Sequence, residues 1–265
     1  MTPSTMQWAK PLKKLLYLLP APIFWLGVWQ LCAFLVDRHL SGKGNELLLP
    51  YPATVLSALL EQGGQALFWQ SILATLLRVV LGLGLGIALG AVLAFLTCRS
   101  PWCDRLLSPA IRVIRAAPVA SFILLVILWT GRSNVPAVIA AMMVLPVVWD
   151  NLSQGIRAVD PKLLELGRAY RFSGKKALTL IYLPSLRSHM LSALTTGAGL
   201  AWKSGVAAEV LCLPRPALGT QIYNTKYLLE IPELFAWTAV TVALSLILEQ
   251  LLRRGAARWG KGWSA

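Results

Sequence analysis

The sequence predicts an all-α, polytopic membrane protein with about six transmembrane helices, and three observations carry that reading. Hydrophobic residues make up 57% of the chain and charged residues only 14%, where a soluble domain carries roughly 25% charged. Mean hydropathy is +0.64, and 265 residues leave room for about six spans of roughly 20 residues each with their loops. Basic residues cluster between the apolar runs, the arrangement that orients helices in a bilayer. The net charge of +14 therefore forms no single soluble patch, and no nucleic-acid partner is expected. Residues 1–265 are read as one membrane domain.

Lys10, Lys13 and Lys14 precede an apolar run over residues 15–36. It is longer than the apolar region of a signal peptide and is read as a retained first span. Residues 37–70 are mostly polar, with Pro50 and Pro52 introducing a short amphipathic helix over 53–62 that is expected to lie along the interface. The second span covers 71–97. Its Gly82, Gly86 and Gly90 fall four apart on one helix face, a strip that lets a neighbouring backbone come close, and packing within the subunit is the expected use. Arg78 in this span is expected to snorkel to the outer interface.

A loop over 99–105 leads to the third span, 106–130, which contains Pro109 and Pro118. A tight turn at 131–134 precedes the fourth span, 135–149. A basic island occupies 160–184, the fifth span 189–212, an outer loop 213–232 and the sixth span 233–252. Sixteen basic residues then fall on one side: the three N-terminal lysines, Arg99, Arg105, seven between Arg157 and Arg187, and Arg253, Arg254, Arg258 and Lys261. The other side holds five: Arg38, Lys43, Arg132, Arg215 and Lys226. The basic side is expected to be cytoplasmic, which puts both termini and the island in the cytosol.

The island reads as two short helices. Asp160 is a good N-cap and Pro161 suits the first helical position. Lys162, Glu165, Arg168 and Arg171 recur every three residues beside Leu163, Leu164 and Tyr170. Gly174 is the expected stop, with Lys175 opening a second helix that Pro184 closes. A helical pair this charged does not belong in lipid. It lies at the membrane face or docks into a partner.

No enzyme constellation appears: there is no HExxH and no GxSxG, and the two histidines, His39 and His189, are far apart in the chain. Gly174-Lys175-Lys176 fails as the end of a phosphate-binding loop, because Ala169 replaces its first glycine and Lys176 its Ser/Thr. The chain is expected to bind no ATP and no metal itself. Cys32, Cys98, Cys103 and Cys212 show no CxxC spacing, and packing is expected of them, although Cys32 and Cys212 would both lie near the outer face.

Charges inside spans are costly and draw attention. Arg112 and Arg115 lie near the cytoplasmic end of the third span, within reach of headgroups. Lys203 is nine residues from the outer end of the fifth span, about 14 Å at 1.5 Å per residue, which is deep for snorkelling. Glu209 lies six positions on, about 240° around the helix, so the two need separate partners. Each either pairs with another helix or faces a water-filled path. A cation in a path favours an anionic solute.

Four stretches resemble one family in its order. Glu165, with Pro184 nineteen residues later after Leu180-Ile181-Tyr182-Leu183, resembles the cytoplasmic EAA loop of ABC importer permeases. The loop's two alanines are Leu166 and Gly167 here, and its glycine six residues after the Glu is Arg171. LLPYPATVLSALL (48–60) and WKSGVAAEVL (202–211, with Trp202, Lys203, Ser204 and Glu209) resemble the LPSPxxVxxxL and WxGVVAAEML segments of the nitrate, sulfonate and taurine permeases. RAAPVAS (115–121), with Arg115, Pro118 and Ser121, resembles their RPxPP element near the translocation path. Lys203 stands where that family usually has an apolar residue.

The resemblance implies a type I ABC importer permease in a bacterial inner membrane. It implies a second permease copy, identical or not, two cytoplasmic ATPases that bind the ATP and receive Glu165 and its neighbours, and an extracytoplasmic solute-binding protein. The expected solute is a small organic or inorganic anion such as a sulfonate or nitrate. A thiamine-precursor-like heterocycle is the alternative within the family. An ion-coupled secondary transporter is the alternative outside it, with Glu209 as its mid-membrane carboxylate.

Overall fold

The computed structural model describes residues 20–39 and 45–261. The start of the first expected span and the N-terminal lysines lie outside them. The described residues form helices and connecting turns, without strands. They divide into two compact units, one formed by the described residues up to 65 with 224–239 and the other by 66–223 with the described residues from 240 on.

The first unit holds α1 (Pro20–His39), the single turn α2 (Asn45–Leu48) and α3 (Pro52–Gly63), together with the start of α12 (Ile231–Lys261). α1 is apolar and exposes Ile23, Phe24, Trp25, Leu31 and Phe34, as a helix surrounded by acyl chains would. The expected amphipathic helix is α3. Its Val55 and Ala58 are buried with Ala236, and Trp29, Leu59 and Phe235 pack against them. Trp29 satisfies its indole by donating from Nε1 to the Pro50 carbonyl at 3.0 Å.

In the second unit, α7 (Val135–Arg157) packs between α4 (Ala66–Arg99) and α10 (Leu183–Cys212). The glycine strip explains the α4–α7 side. A Cβ on Gly82 would run into the Ala137 carbonyl and come within 2.6 Å of the Ala140 Cβ. One on Gly86 would lie 2.7 Å from the Val144 Cβ, and one on Gly90 2.8 Å from the Val148 Cβ. The strip is thus packing within the subunit, as expected. Gly86→Val should cost about 3 kcal/mol, because the added methyls meet helix backbone that has no room to yield. A melting curve of the purified variant in detergent checks this, and an unchanged midpoint would refute it. On the α7–α10 side Gly155 of α7 receives Leu186 and His189, and Gly205 of α10 lets Val79 of α4 approach directly.

The third expected span is two helices. Ser100 caps α5 (Pro101–Ala116) with Pro101 in the first turn, so most of the stretch expected as a loop over 99–105 is helical. Pro109 lies inside α5 without ending it. The break comes at Ala117, held extended (ψ 144°) by the proline after it, and α6 (Val119–Trp129) then leaves at 109° to α5. Ile123 and Val126 of α6 are buried with Val135, Ile139, Ala208 and Cys212. The turn at 131–134 is present, closed by a hydrogen bond from the Asn134 amide to the Gly131 carbonyl.

Among the described residues, four helices are long and apolar enough to cross a membrane: α1, α4, α7 and Ile231–Gly255 of α12. The α5–α6 pair makes a fifth if taken as one broken span. The fifth expected span lies within α10, which has the length but not the uniform apolarity. The outer loop also departs from expectation, because residues Leu218–Tyr227 form a helix, α11. All four cysteines are free thiols.

Candidate functional site

The island begins as expected and turns differently. Asp160 accepts a hydrogen bond from the Lys162 amide at 2.8 Å and caps α8 (Pro161–Ala169). The stop is Arg171, not Gly174. Arg171 adopts φ 48°, its amide donates to the Arg168 carbonyl and the Phe172 amide to the Gly167 carbonyl. These two bonds are the pair that ends a helix through a left-handed residue. A glycine suits that position best, and it is the one where the EAA loop has its glycine. Gly174 instead opens α9 (Gly174–Ala177), capped by Ser173.

Pro184 does not close the second helix either. The chain continues through a wide turn over Leu178–Tyr182, where the Leu183 amide bonds to the Leu178 carbonyl five residues back, into α10. Widening the turn by one residue absorbs the missing amide and the bulk of the proline ring, so the helix bends its register and goes on. The hairpin is closed from inside. Gly167 is buried, and Ile181 packs so close that a Cβ on Gly167 would lie 2.9 Å from it. Leu166 therefore faces out with Leu163, Tyr170, Leu178 and Leu180, and Glu165 and Arg168 are exposed beside them. Arg171→Gly should stabilise the hairpin by about 1 kcal/mol, since a non-glycine residue pays roughly that in the left-handed region. Amide exchange across 167–173 should then slow about fivefold. Faster exchange would refute the assignment of the turn.

At the other end of α10, Glu209 is fully buried and its carboxylate is saturated. Arg78 donates to Oε1 at 3.1 Å, Thr75 to Oε2 at 2.8 Å and the Gly219 amide to Oε2 at 3.1 Å. Thr75 Oγ1 accepts from the Leu218 amide, and Arg78 also reaches the Pro216 carbonyl at 2.8 Å. Glu209 thus sits at the N-terminus of α11, where free amides and the helix dipole favour a carboxylate. This explains why a helix forms in the segment expected to be loop. It also gives Arg78 a partner, so Arg78 is an ion-pair residue and does not snorkel.

Of the remaining path candidates, Trp202 and Ser204 are buried. Trp202 donates from Nε1 to the Thr241 carbonyl at 3.2 Å and Ser204 to the Leu200 carbonyl at 2.7 Å. Arg115 pairs with Asp150 of α7 at 3.1 Å, both partly exposed, and Pro118 and Ser121 are exposed at the start of α6. Lys203 is exposed and stands apart from the Glu209 cluster. It belongs to a stripe of exposed α10 residues, Ser188, Ser192, Thr196, Leu200, Lys203, Ala207 and Leu211, in which small and polar side chains are interrupted by two leucines. The exposed side of α4 is more uniformly apolar: Leu73, Leu77, Leu81, Leu85, Leu89 and Phe95.

Thr75 and Asp150 escape a sequence reading because Thr and Asp near helix ends are ordinary. Arg78 and Glu209 carry a usable signal: two opposite charges in different apolar segments, both toward the expected outer end.

Apolar helices of membrane-crossing length, joined by a charged surface hairpin, are the build of a membrane-embedded subunit. Residues 86–258 match the family described as binding-protein-dependent transport system inner membrane component, and the chain belongs to it. The family is a transport component of the inner membrane and not an enzyme. The chain is 26% identical to a putative aliphatic sulfonates transport permease of Bacillus subtilis over 246 residues, 91% of this chain and 86% of that one. It is 27% identical to the taurine transport system permease of Escherichia coli over 216 residues, 79% and 78% of the two chains. It is 29% identical to a bicarbonate transport system permease of Synechocystis over 239 residues, 84% of each. In fold it is similar to a chain of a crystal structure of an amino acid ABC transporter with histidines, with a TM-score of 0.60 and 21% identity, covering 72% of this chain and 94% of that one.

Proposed function

We propose that this subunit imports a small anion, driven by a cytoplasmic ATPase that grips residues 160–184. The observation that carries the anion is the exposed face of α10. Serine and threonine hydroxyls and one lysine on an otherwise membrane-embedded helix are poorly suited to lipid, so that face borders water or a second copy. Lys203 is its only charge and supplies the attraction for a negative solute as it passes. Relatives named for sulfonates, taurine and bicarbonate agree with such a solute. The saturated Glu209 has no free oxygen to offer a coupling ion, which weighs against ion-driven transport.

In this reading the basic side faces the cytosol, and both termini lie there. A second permease completes the pathway. Two ATPase subunits carry the ATP, and an extracytoplasmic binding protein delivers solute. ATP binding draws the two coupling hairpins together and biases the pathway toward one of two states. Glu165, Leu166, Arg168 and their neighbours form the grip, and Arg171 shapes it. Glu165→Arg should abolish ATP-dependent uptake into cells or proteoliposomes while the chain remains folded in the membrane. Full uptake by that variant would sink the proposal.

A further inference from the structure

We propose that α5 lies flat in the membrane interface and binds anionic phospholipid headgroups through Arg105 and Arg112. Its sixteen residues include Asp104, Arg105, Arg112 and Arg115, too many charges for a helix that crosses hydrocarbon. The 109° bend into the apolar α6 lets α5 run along the surface while α6 enters the bilayer. With only 11 residues, about 16 Å, α6 penetrates but does not span alone.

The sides of α5 divide by chemistry. Asp104 pairs with Arg157, Arg115 with Asp150, and Ser108 and Ile111 are buried, so one side is tied to the end of α7 that leads into residues 160–184. On the opposite side Trp102 (81% exposed), Leu106, Pro109 and Val113 form a stripe at helical spacing. At about 100° per residue, Arg105 and Arg112 fall on one flank of that stripe, two turns apart. Both are exposed, and neither has a hydrogen-bond or ion-pair partner among the described residues. Apolar side chains below and guanidinium groups at their edge match the boundary between acyl chains and phosphates. Trp102 at the first turn has the amphipathic ring that prefers that depth.

The test uses the full chain in nanodiscs of phosphatidylcholine with phosphatidylglycerol, with a benzophenone amino acid in place of Trp102 or Leu106. Illumination should join both positions to lipid. Joining to a second copy of the chain would make the stripe a subunit interface. Joining to an ATPase when one is present, or to nothing, would place it in a protein groove or in water. Any of these overturns the proposal. In parallel, the doubly substituted R105Q/R112Q chain should retain about tenfold less phosphatidylglycerol relative to phosphatidylcholine after detergent extraction. An unchanged ratio with lipid-joined Trp102 would leave no headgroup role for the arginines and overturn that half.

Discussion

Glu209→Ala is expected to destabilise the subunit by about 3–5 kcal/mol, the cost of stranding one member of a buried ion pair. The substitution leaves the Arg78 guanidinium with only the Pro216 carbonyl, and the amide of Gly219 with no acceptor. It also removes the carboxylate that fixes the start of α11. The loss should appear as a lower unfolding midpoint in detergent and as less chain in the membrane. Replacing both partners, Arg78→Met with Glu209→Leu, should cost less than Glu209→Leu alone, because no charge is then left unpaired. A double variant as damaged as the sum of the singles would show that the two charges do not act together. The tight seat of Gly219, where a Cβ would lie 2.5 Å from that of Glu209, predicts the same phenotype for Gly219→Leu.

Lys203 should behave in the opposite way, sparing stability and changing transport. As an exposed residue without an ion-pair partner among the described residues, it contributes little to folding. Lys203→Gln is expected to lower the ATP-dependent uptake rate of an anionic solute about tenfold, and Lys203→Glu about a hundredfold, at roughly 1.4 kcal/mol per tenfold. Unfolding midpoints of both should match the wild type. Lys203→Arg, which keeps the charge, should retain most of the uptake. Equal uptake by the Gln, Glu and Arg variants would remove Lys203 from the path.

Where side-chain chemistry is repeated along the chain, the sequence already shows the fold. Four of the six expected spans, the four-residue glycine spacing and the Asp160-Pro161 cap appear as expected. What the sequence hides depends on partners distant in the chain. The Arg78–Glu209 pair joins residues 131 apart: each charge is visible in its apolar segment, but only the fold brings the two together. α11 is helical partly because its first two amides meet Thr75 and Glu209. Local signals misled at the hairpin: Gly174 and Pro184 are strong breakers in isolation, yet Arg171 takes the left-handed turn and a widened helical turn carries the chain past Pro184. The family's glycine position was the better guide, since it reflects the backbone conformation and not the residue present. Hydropathy likewise makes the third apolar run a single span. The extended residue before Pro118 makes it two helices.

The claim that an ATPase drives this subunit through residues 160–184 is tested most directly by recovering the chain from its native membrane in mild detergent. The ATPase activity of the eluate would then be measured with wild-type and Glu165→Arg chains. Co-recovery of a cytoplasmic ATPase whose activity is present with the wild type and lost with Glu165→Arg is the expected result. A wild-type chain recovered free of any ATPase, or a partner that binds the variant equally well, would contradict the account.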